Sequence, residues 1–346
     1  MKIIVDAMGG DHAPKAPVEG ALRAARELGV EITLTGQTQA IQDCLNAMGE
    51  TLPQGVEIVQ ADEVITMEDN PARAFREKKR SSMTIGLEML KTGKGDAFVS
   101  AGSTSALLSA ATLMIKRIRG IRRAALAPVV PNAKGNMILI DCGATAECTP
   151  EYLLQFAFMG SYYAKQFLGV ERPRVALLNI GAEASKGMDL QRDTYALLTE
   201  ADKAGRIRFV GNIEGREAIS QGEVDVLVTD GFTGNIFLKT FEGGALMFSK
   251  SLKKIFLKNL KSKVAALMVR ESVGAFKKAM DPNEVGGTAM LGISQPVVKA
   301  HGSSNGYAFF NAIRQAILVA ESGIIQDITE NVEYMRLPTE KSKDSE

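Results

Sequence analysis

Residues 224–235 read VDVLVTDGFTGN, and this stretch decides the fold. A β-branched run leads into a small, polar, glycine-containing loop, and a helical pattern follows the loop. This order predicts a strand whose chain turns into a crossover helix. Since strands joined through such helices run in the same direction, the stretch favours a mostly parallel sheet covered by helices.

The same arrangement recurs along the chain. In the sheet that it predicts, the polar loops meet at the carboxyl ends of the strands, where open α/β sheets bind ligands. We predict a three-layer α/β/α, doubly wound fold as one domain over residues 1–335, with a helical excursion at about 242–285 and a polar tail at 336–346. The other apolar runs are at 3–5, 97–99, 137–140, 175–178 and 297–299.

Composition excludes several classes of protein. The 346 residues carry a formal net charge of +1, which argues against bulk nucleic-acid binding. Cys44, Cys142 and Cys148 lack C-x-x-C spacing, so they predict reduced thiols and neither a disulfide nor a zinc site. An acid at Asp6 interrupts any signal-peptide segment, and no apolar run approaches the ~20 residues of a membrane span. We expect a cytoplasmic protein that at most contacts the inner face of the cell membrane.

Two hydroxyl-rich segments are candidates for holding phosphate. The loop at 100–105 precedes a helical pattern at 106–118, whose first backbone amides suit an oxyanion, although a plain helix cap explains it equally well. The segment at 78–82 adds basic charge beside another cap, and a solvated charge run is its simpler interpretation. The candidate residues are Ser100, Gly102, Ser103, Thr104, Lys79, Ser81 and Ser82.

Four acids stand at or just after predicted strand ends. Together they could hold a divalent metal, but capping of helices and turns is the favoured interpretation. No Walker A spacing occurs, and Gly9-Gly10 does not complete G-x-G-x-x-G, so we predict no metal and no cofactor. The four acids are Asp6, Asp11, Asp141 and Asp230.

One segment suggests a nucleophile. Residues 302–306 read GSSNG and match the G-x-S-x-G elbow of hydrolases. That fold places its histidine after the serine, whereas the only histidines here, His12 and His301, precede Ser304. Helix capping by residues 303–305 is therefore favoured. Cys142 follows an apolar run, where a free cysteine is usually a core residue.

Taken together, the loops resemble those of bacterial phosphate acyltransferases of phospholipid synthesis that use acyl carrier protein. Matching blocks occur in the family order from residue 3 to about residue 320, and the ordered set is much more specific than any single block. Ser103 and Ser105 replace an asparagine and a glycine of the family pattern, and Thr145 replaces an asparagine. The blocks are DAMGGD at 6–11, KKRSSM at 78–83, SAGST at 100–104, DCGA at 141–144, LLNIGAEASKG at 177–187, GNIEG at 211–215, TDGFTGN at 229–235 and VKAHG at 298–302.

The resemblance implies transfer of a long-chain acyl group from acyl carrier protein to inorganic phosphate, which gives acyl phosphate. It also implies a fold similar to isocitrate and isopropylmalate dehydrogenases or to phosphotransacetylases. Lys186 is the candidate cation beside phosphate or oxyanion, and His301, with His12 second, is the candidate for proton transfer at the leaving thiolate. Asn235 is expected to shape the same crevice. The remaining candidate binding residues are Gly9, Gly10, Asp11, His12, Asp141, Asp230 and Thr233.

Partners follow from the same resemblance: an acidic carrier protein, a second copy of the chain, and a glycerol-3-phosphate acyltransferase as a candidate. Two basic clusters are candidate docking surfaces for the carrier. An apolar stripe on a predicted helix at 245–270, with lysines opposite, suits an anionic membrane surface or equally a dimer or core contact. The first cluster is Lys116, Arg117, Arg119, Arg122 and Arg123, and the second is Arg73, Arg76, Lys78, Lys79 and Arg80.

Three alternative functions stay open. The first is a phosphate acyltransferase that uses coenzyme A thioesters. The second is a metal- and NAD-dependent decarboxylating dehydrogenase with Asp141 and Asp230 as metal ligands. The third is a scaffold that binds carrier protein and turns nothing over.

Overall fold

The computed structural model describes residues 1–335, apart from the side chains of Ala279 and Pro282. The predicted polar tail at 336–346 lies outside the described residues. The strands are β1 Lys2–Asp6, β2 Glu31–Gly36, β3 Val56–Gln60, β4 Ala97–Ser100, β5 Ala125–Ala127, β6 Val129–Asn132, β7 Gly135–Ile140, β8 Arg174–Asn179, β9 Arg208–Glu214, β10 Val226–Val228, β11 Gly287–Leu291 and β12 Val297–Ala300.

The described strands form two sheets, in the orders β3-β2-β1-β4-β12-β11-β5 and β6-β7-β10-β8-β9. Most neighbours are parallel, as predicted; β11 is antiparallel to both of its neighbours and β6 is antiparallel to β7. The expectation of a single sheet is corrected, because the runs at 137–140, 175–178 and 226–228 pair with one another in the second sheet. A local pattern predicts a strand, but long-range pairing decides its sheet.

Helices follow most of the parallel strands. A π-helix, Ala111–Ile115, continues α5, so the helical pattern predicted to 118 ends at Ile115. The predicted long helix at 245–270 is broken, because Asn259 caps a new helix by accepting a hydrogen bond from the Ser262 backbone N–H at 2.9 Å. The helices are α1 Lys15–Leu28, α2 Thr38–Met48, α3 Ala74–Glu77, α4 Ser82–Lys91, α5 Thr104–Ala110, α6 Pro150–Leu168, α7 Asp189–Lys203, α8 Gly215–Ser220, α9 Gly231–Leu257, α10 Leu260–Met268, α11 Arg270–Ala279, α12 Gly306–Glu321 and α13 Ile324–Glu330.

The two sheets share an aliphatic core. Val5 and Val99 of the first sheet belong to the same buried cluster as Ile140, Leu177 and Val228 of the second. The sheets are therefore packed through a continuous apolar interior. No single helix in residues 1–335 is long and apolar enough to cross a membrane; α12 and α13 meet that test only as a pair bent by 41°.

Candidate active site

Three loops of the seven-stranded sheet interlock at its carboxyl edge. They follow β1, β4 and β12, which are neighbours in the sheet. The Asp11 backbone N–H donates to the Gly302 carbonyl at 2.8 Å. A Cβ at Gly9 would lie 2.6 Å from the Gly102 nitrogen, and Gly10 has a φ of +99°, so both positions require glycine. We call these loops, at 6–12, 100–104 and 300–305, the first loop group.

Asp6 is the buried anchor of the first loop group. Its carboxylate accepts a hydrogen bond from the Ser100 hydroxyl at 2.7 Å, and the Ser82 hydroxyl lies close enough to act on its pKa. Burial raises the pKa of Asp6, and these two hydroxyls oppose the shift. The Ser100 oxygen in turn accepts from the Gly102 N–H at 3.0 Å. The Ser100 hydroxyl, predicted to bind phosphate, therefore holds the loop in shape.

Lys299 places a buried cation beneath the same loops. Its ammonium donates to the Ala101 carbonyl at 3.3 Å and also to the Ala300 carbonyl. Burial lowers the pKa of Lys299 to about 8, and attraction to Asp6 opposes this. In the sequence, Lys299 stands only as part of the matching block at 298–302 and was not predicted as a site residue. The available signal was a charged residue within the apolar strand pattern at 297–300, because a lysine on a buried strand needs a nearby partner.

Two acids organise the loops of the five-stranded sheet. Both carboxylate oxygens of Asp141 accept backbone N–H bonds, the shortest from Cys142 and Thr145 at 2.7 Å. Burial raises the pKa of Asp141 to about 6, and these bonds oppose the rise. Asp230 caps α9 by accepting from Thr233, at 2.9 Å from its N–H and 2.7 Å from its hydroxyl. Capping, the favoured interpretation of both acids, is confirmed.

Metal ligation by these acids finds no support in that arrangement. Their oxygens already accept bonds from the chain itself. Within residues 1–335 no group of three or more His, Cys, Asp and Glu side chains is placed to hold a metal ion. Asp141 and Asp230 therefore do not fit the role of metal ligands in a metal-dependent dehydrogenase.

Asn235 joins the first turn of α9 to the loop after β7. Its side-chain amide donates to the Cys142 carbonyl at 3.1 Å, and Gly143, with a φ of +137°, lies against the same amide. The Gly231 N–H donates to the Thr145 carbonyl at 2.8 Å. Since Thr145 makes its strong contacts through its backbone, the replacement of the family asparagine preserves them. We call residues 141–145 and 229–235 the second loop group.

Lys239, one turn beyond the second loop group on α9, contacts His301 of the first loop group and so connects the two. The Lys239 ammonium, on α9, lies 3.1 Å from His301 Nε2 and 2.8 Å from a Glu242 oxygen. His301 Nδ1 lies 2.9 Å from the Ser303 hydroxyl. Partial burial lowers the pKa of His301, and the positive charge of Lys239 acts in the same direction. Lys239 was missed in the sequence, because a lysine four residues beyond Asn235 reads as an ordinary helix-surface residue.

The two nucleophile candidates are both unsuited to attack. The Ser304 hydroxyl is buried and has no hydrogen-bond partner within residues 1–335, and His301 contacts Ser303 instead. Burial first and the neighbouring Asp141 second raise the pKa of Cys142 far above its usual range, so its thiolate is scarce. Asn305 caps α12 by accepting from the Ala308 N–H at 2.9 Å, as predicted.

Lys186 lies in the loop after β8. Because β8 pairs with β10, this loop stands beside the second loop group at the same edge of the sheet. The Lys186 carbonyl accepts from the Asn179 amide at 3.1 Å, and its half-exposed ammonium lies 3.9 Å from Glu183. The ammonium is thus held only loosely by protein and is accessible to an anion.

The remaining predicted residues divide between two places. Ser103 caps α5, which begins at Thr104, by accepting from the Ala106 N–H at 3.5 Å. Ser81 caps α4, with its hydroxyl 2.7 Å from that of Thr84. Lys79 lies apart from the loop groups: it lines a groove of about 520 Å³ over α4 together with apolar and basic side chains. His12 is exposed at the end of the first loop group.

Comparison with known proteins decides the family. A family model described as fatty acid synthesis protein matches residues 1–327. A phosphate acyltransferase from Alkaliphilus oremlandii (strain OhILAs) is 45% identical over 332 residues, which covers 96% of this chain and 97% of the relative. The chain belongs to the phosphate acyltransferase family. The resemblance seen in the loops is confirmed, and phosphate and an acyl donor are the substrates that membership implies.

Solved structures confirm the α/β fold class. A phosphotransacetylase from Streptococcus pyogenes superposes with a TM-score of 0.62 at 18% identity, over 92% of this chain and 94% of that one. A 4-hydroxythreonine-4-phosphate dehydrogenase from Klebsiella pneumoniae gives 0.53 at 14% identity, over 93% and 99%. Because a transferase and a dehydrogenase share this fold, the fold alone does not select the chemistry of a phosphate acyltransferase.

Proposed function

We propose that the protein transfers a long-chain acyl group from acyl carrier protein to inorganic phosphate and releases acyl phosphate. The observation that carries this proposal is the contact of the two loop groups through Lys239 and His301, in a chain of the phosphate acyltransferase family. A phosphate oxygen attacks the thioester carbonyl, the C–S bond breaks, and the departing thiolate takes a proton. Such a reaction needs positioned phosphate, a stabilised oxyanion and a nearby proton.

Each task has a candidate group in this chain. The accessible Lys186 ammonium supports a role at phosphate or the oxyanion, and Asn235 fixes the loop beside it. The backbone N–H groups of Gly9 and Gly10 in the first loop group are the candidates for hydrogen bonds to phosphate oxygens. Neutral His301 is the candidate base that takes the proton of the attacking phosphate and then passes it to the departing thiolate.

One assay tests the function and its alternatives. Pure protein is incubated with palmitoyl-acyl carrier protein, and thiol release is followed with and without phosphate, with EDTA in a parallel reaction. Release that requires phosphate and ignores EDTA supports the proposal. Equal release from palmitoyl-coenzyme A would favour the coenzyme A alternative. Binding of the carrier without any release would identify a scaffold, and NAD reduction with a hydroxy-acid substrate would identify a dehydrogenase.

The carrier docks, we propose, on the basic cluster of residues 116–123. In the rival cluster, Lys78 pairs with Asp69 at 2.6 Å and Arg80 pairs with Asp62, so two of its charges are neutralised. Arg119→Glu is expected to raise KM for the carrier about fivefold at low salt and to weaken the salt dependence of KM. Arg76→Glu in the rival cluster is the matched control. Equal effects of both variants would contradict the choice.

The activity of the protein is expected to fall as pH drops through the pKa of His301. Because that pKa is lowered from its ordinary value, the neutral ring persists to more acidic pH, and protonation removes it only below about 6.5. His301→Asn should abolish this acid limb of the kcat/KM profile. His12→Asn, at the other histidine, should retain it. A His301→Asn profile superimposable on the wild type would remove His301 from proton transfer.

A peripheral membrane contact at the inner face is supported by the surface of α9 and α10. Leu260, Leu267 and Met268 are each at least 70% exposed, and α10 buries none of its residues. We propose that this surface meets either an anionic membrane or a second copy of the chain in a homodimer, as well as a glycerol-3-phosphate acyltransferase that consumes the product.

Charge on that surface is expected to abolish membrane binding. The double variant Leu260→Glu, Val264→Glu should lose most of its flotation with anionic liposomes, because acidic side chains cannot enter the bilayer boundary. Met67→Glu, at an equally exposed apolar residue elsewhere, is the control and should float like the wild type. Retained flotation with a changed sedimentation coefficient would instead assign the surface to the dimer.

A further inference from the structure

The contact between Lys239 and His301 determines which nitrogen of the His301 ring carries the proton. A lysine ammonium has three N–H donors and no acceptor. The Lys239 nitrogen lies 3.1 Å from His301 Nε2, so that ring nitrogen must present its lone pair. The ammonium is itself oriented by Glu242, one helical turn further along α9, at 2.8 Å.

The opposite ring nitrogen then carries the proton. A neutral imidazole has one N–H, and with Nε2 as acceptor it sits on Nδ1. The Ser303 hydroxyl lies 2.9 Å from Nδ1 and accepts this bond. The Ser303 backbone N–H also points at Nδ1, at 3.4 Å, and would donate to it only in the opposite tautomer. That tautomer would place an Nε2–H against the Lys239 ammonium at 3.1 Å, so the shorter, charge-assisted contact decides against it.

We propose that Lys239 is a positioning residue that fixes His301 as a neutral imidazole with its proton on Nδ1. This inference rests on the proposed function for its consequence: with Nδ1 already protonated, the neutral ring can accept a proton only at Nε2, the nitrogen that faces Lys239. A proton that His301 takes up during the reaction must therefore arrive at Nε2, and the imidazolium so formed can pass a proton to the departing thiolate. Lys239 acts on the reaction through His301.

The charges around the ring are mixed, so removal of Lys239 has a definite sign. Glu242 on α9 and Asp11 in the first loop group favour the protonated ring. Lys239 and the buried Lys299 of β12 disfavour it, and partial burial acts in the same direction. Without Lys239, only Lys299 of these two cations remains to lower the pKa of the ring, whereas both acids still raise it. The pKa of His301 should then rise.

Long-range ¹H–¹⁵N spectra of the full-length protein with ¹⁵N-labelled histidine test the proposal directly. The chain has only two histidines, so His12 serves as an internal reference in every sample. The wild type should show His301 neutral and protonated at Nδ1 above its pKa. Lys239→Met should give a mixture of tautomers and raise the pKa of His301 by about half a unit or more, with His12 unchanged.

Two further variants separate position from charge. Lys239→Arg should keep the wild-type tautomer, because a guanidinium also only donates. Lys250→Met, on an exposed part of α9, should change neither histidine. In the thiol-release assay Lys239→Met is expected to lower kcat about 10²-fold and to shift the acid limb, with KM for phosphate little changed.

The outcomes distinguish this inference from the proposed function. His301 signals in Lys239→Met that coincide with those of the wild type, in tautomer and in pKa, would overturn the inference. Wild-type protein that shows the expected spectra but releases no thiol in a phosphate-dependent manner would overturn the proposed function and leave the tautomer assignment standing.

Discussion

Replacement of Lys186 by methionine is expected to lower kcat/KM for phosphate-dependent thiol release by about 10²- to 10³-fold, the usual effect of losing one oxyanion donor. Its ammonium is half exposed and only 3.9 Å from Glu183, so no tight ion pair withholds it from a substrate. Methionine preserves the length of the side chain and removes its charge. Because the position is exposed, the free energy of unfolding should change little. Initial rates and a thermal melt measure both quantities.

Two comparisons make the Lys186 result specific. Lys203→Met, at an exposed lysine at the end of α7, should keep full activity. Lys186→Arg should recover part of the rate, since charge is restored with different geometry. A Lys186→Met enzyme with wild-type kcat/KM would exclude Lys186 from contact with phosphate and oxyanion, and the role would then pass to Lys299, beneath the first loop group.

The strand-loop-helix order predicted the α/β class because it is a local signal. Residues 224–235 fold as that order predicts: β10 ends at Val228, Asp230 caps, and α9 begins at Gly231. The division into two sheets could not be predicted, because the sequence of residues 137–140 indicates a strand but does not indicate its pairing partner. Likewise, the hydrophobic pattern ran through Asn259, whereas the cap that breaks the helix depends on one side-chain hydrogen bond.

The candidate site was predictable where the chain itself carried the signal. Polar residues after strands mark Asp141, Asp230 and Asn235, and all three lie in the second loop group. The contact between Lys239 and His301 joins positions 62 residues apart. It depends on how the first turns of α9 face the loop after β12, which periodicity does not encode. Lys299 was hidden for a related reason: its partner Asp6 belongs to another strand of the sheet.

Substitution of Gly234 by alanine is expected to destabilise the protein by about 3 kcal/mol and to lower its Tm by about 4 °C. An added Cβ would overlap the Asp141 carbonyl oxygen and lie 2.9 Å from the Thr229 methyl. That carbonyl has little freedom to move, because the Asp141 carboxylate is held by several backbone N–H groups. The strain must therefore displace α9.

Two glycines further along α9 provide matched controls. Nothing lies within 4 Å of a Cβ at Gly243 or Gly244, so alanine there should be neutral or stabilise the helix by up to about 1 kcal/mol. Displacement of α9 by Gly234→Ala also moves Asn235 and Lys239, so kcat should fall even at temperatures where the variant is folded. If Gly234→Ala had the same Tm and kcat as Gly244→Ala, the second loop group would have moved to accommodate the added methyl group. The packing of helix on loop would then not be what positions Asn235 and Lys239.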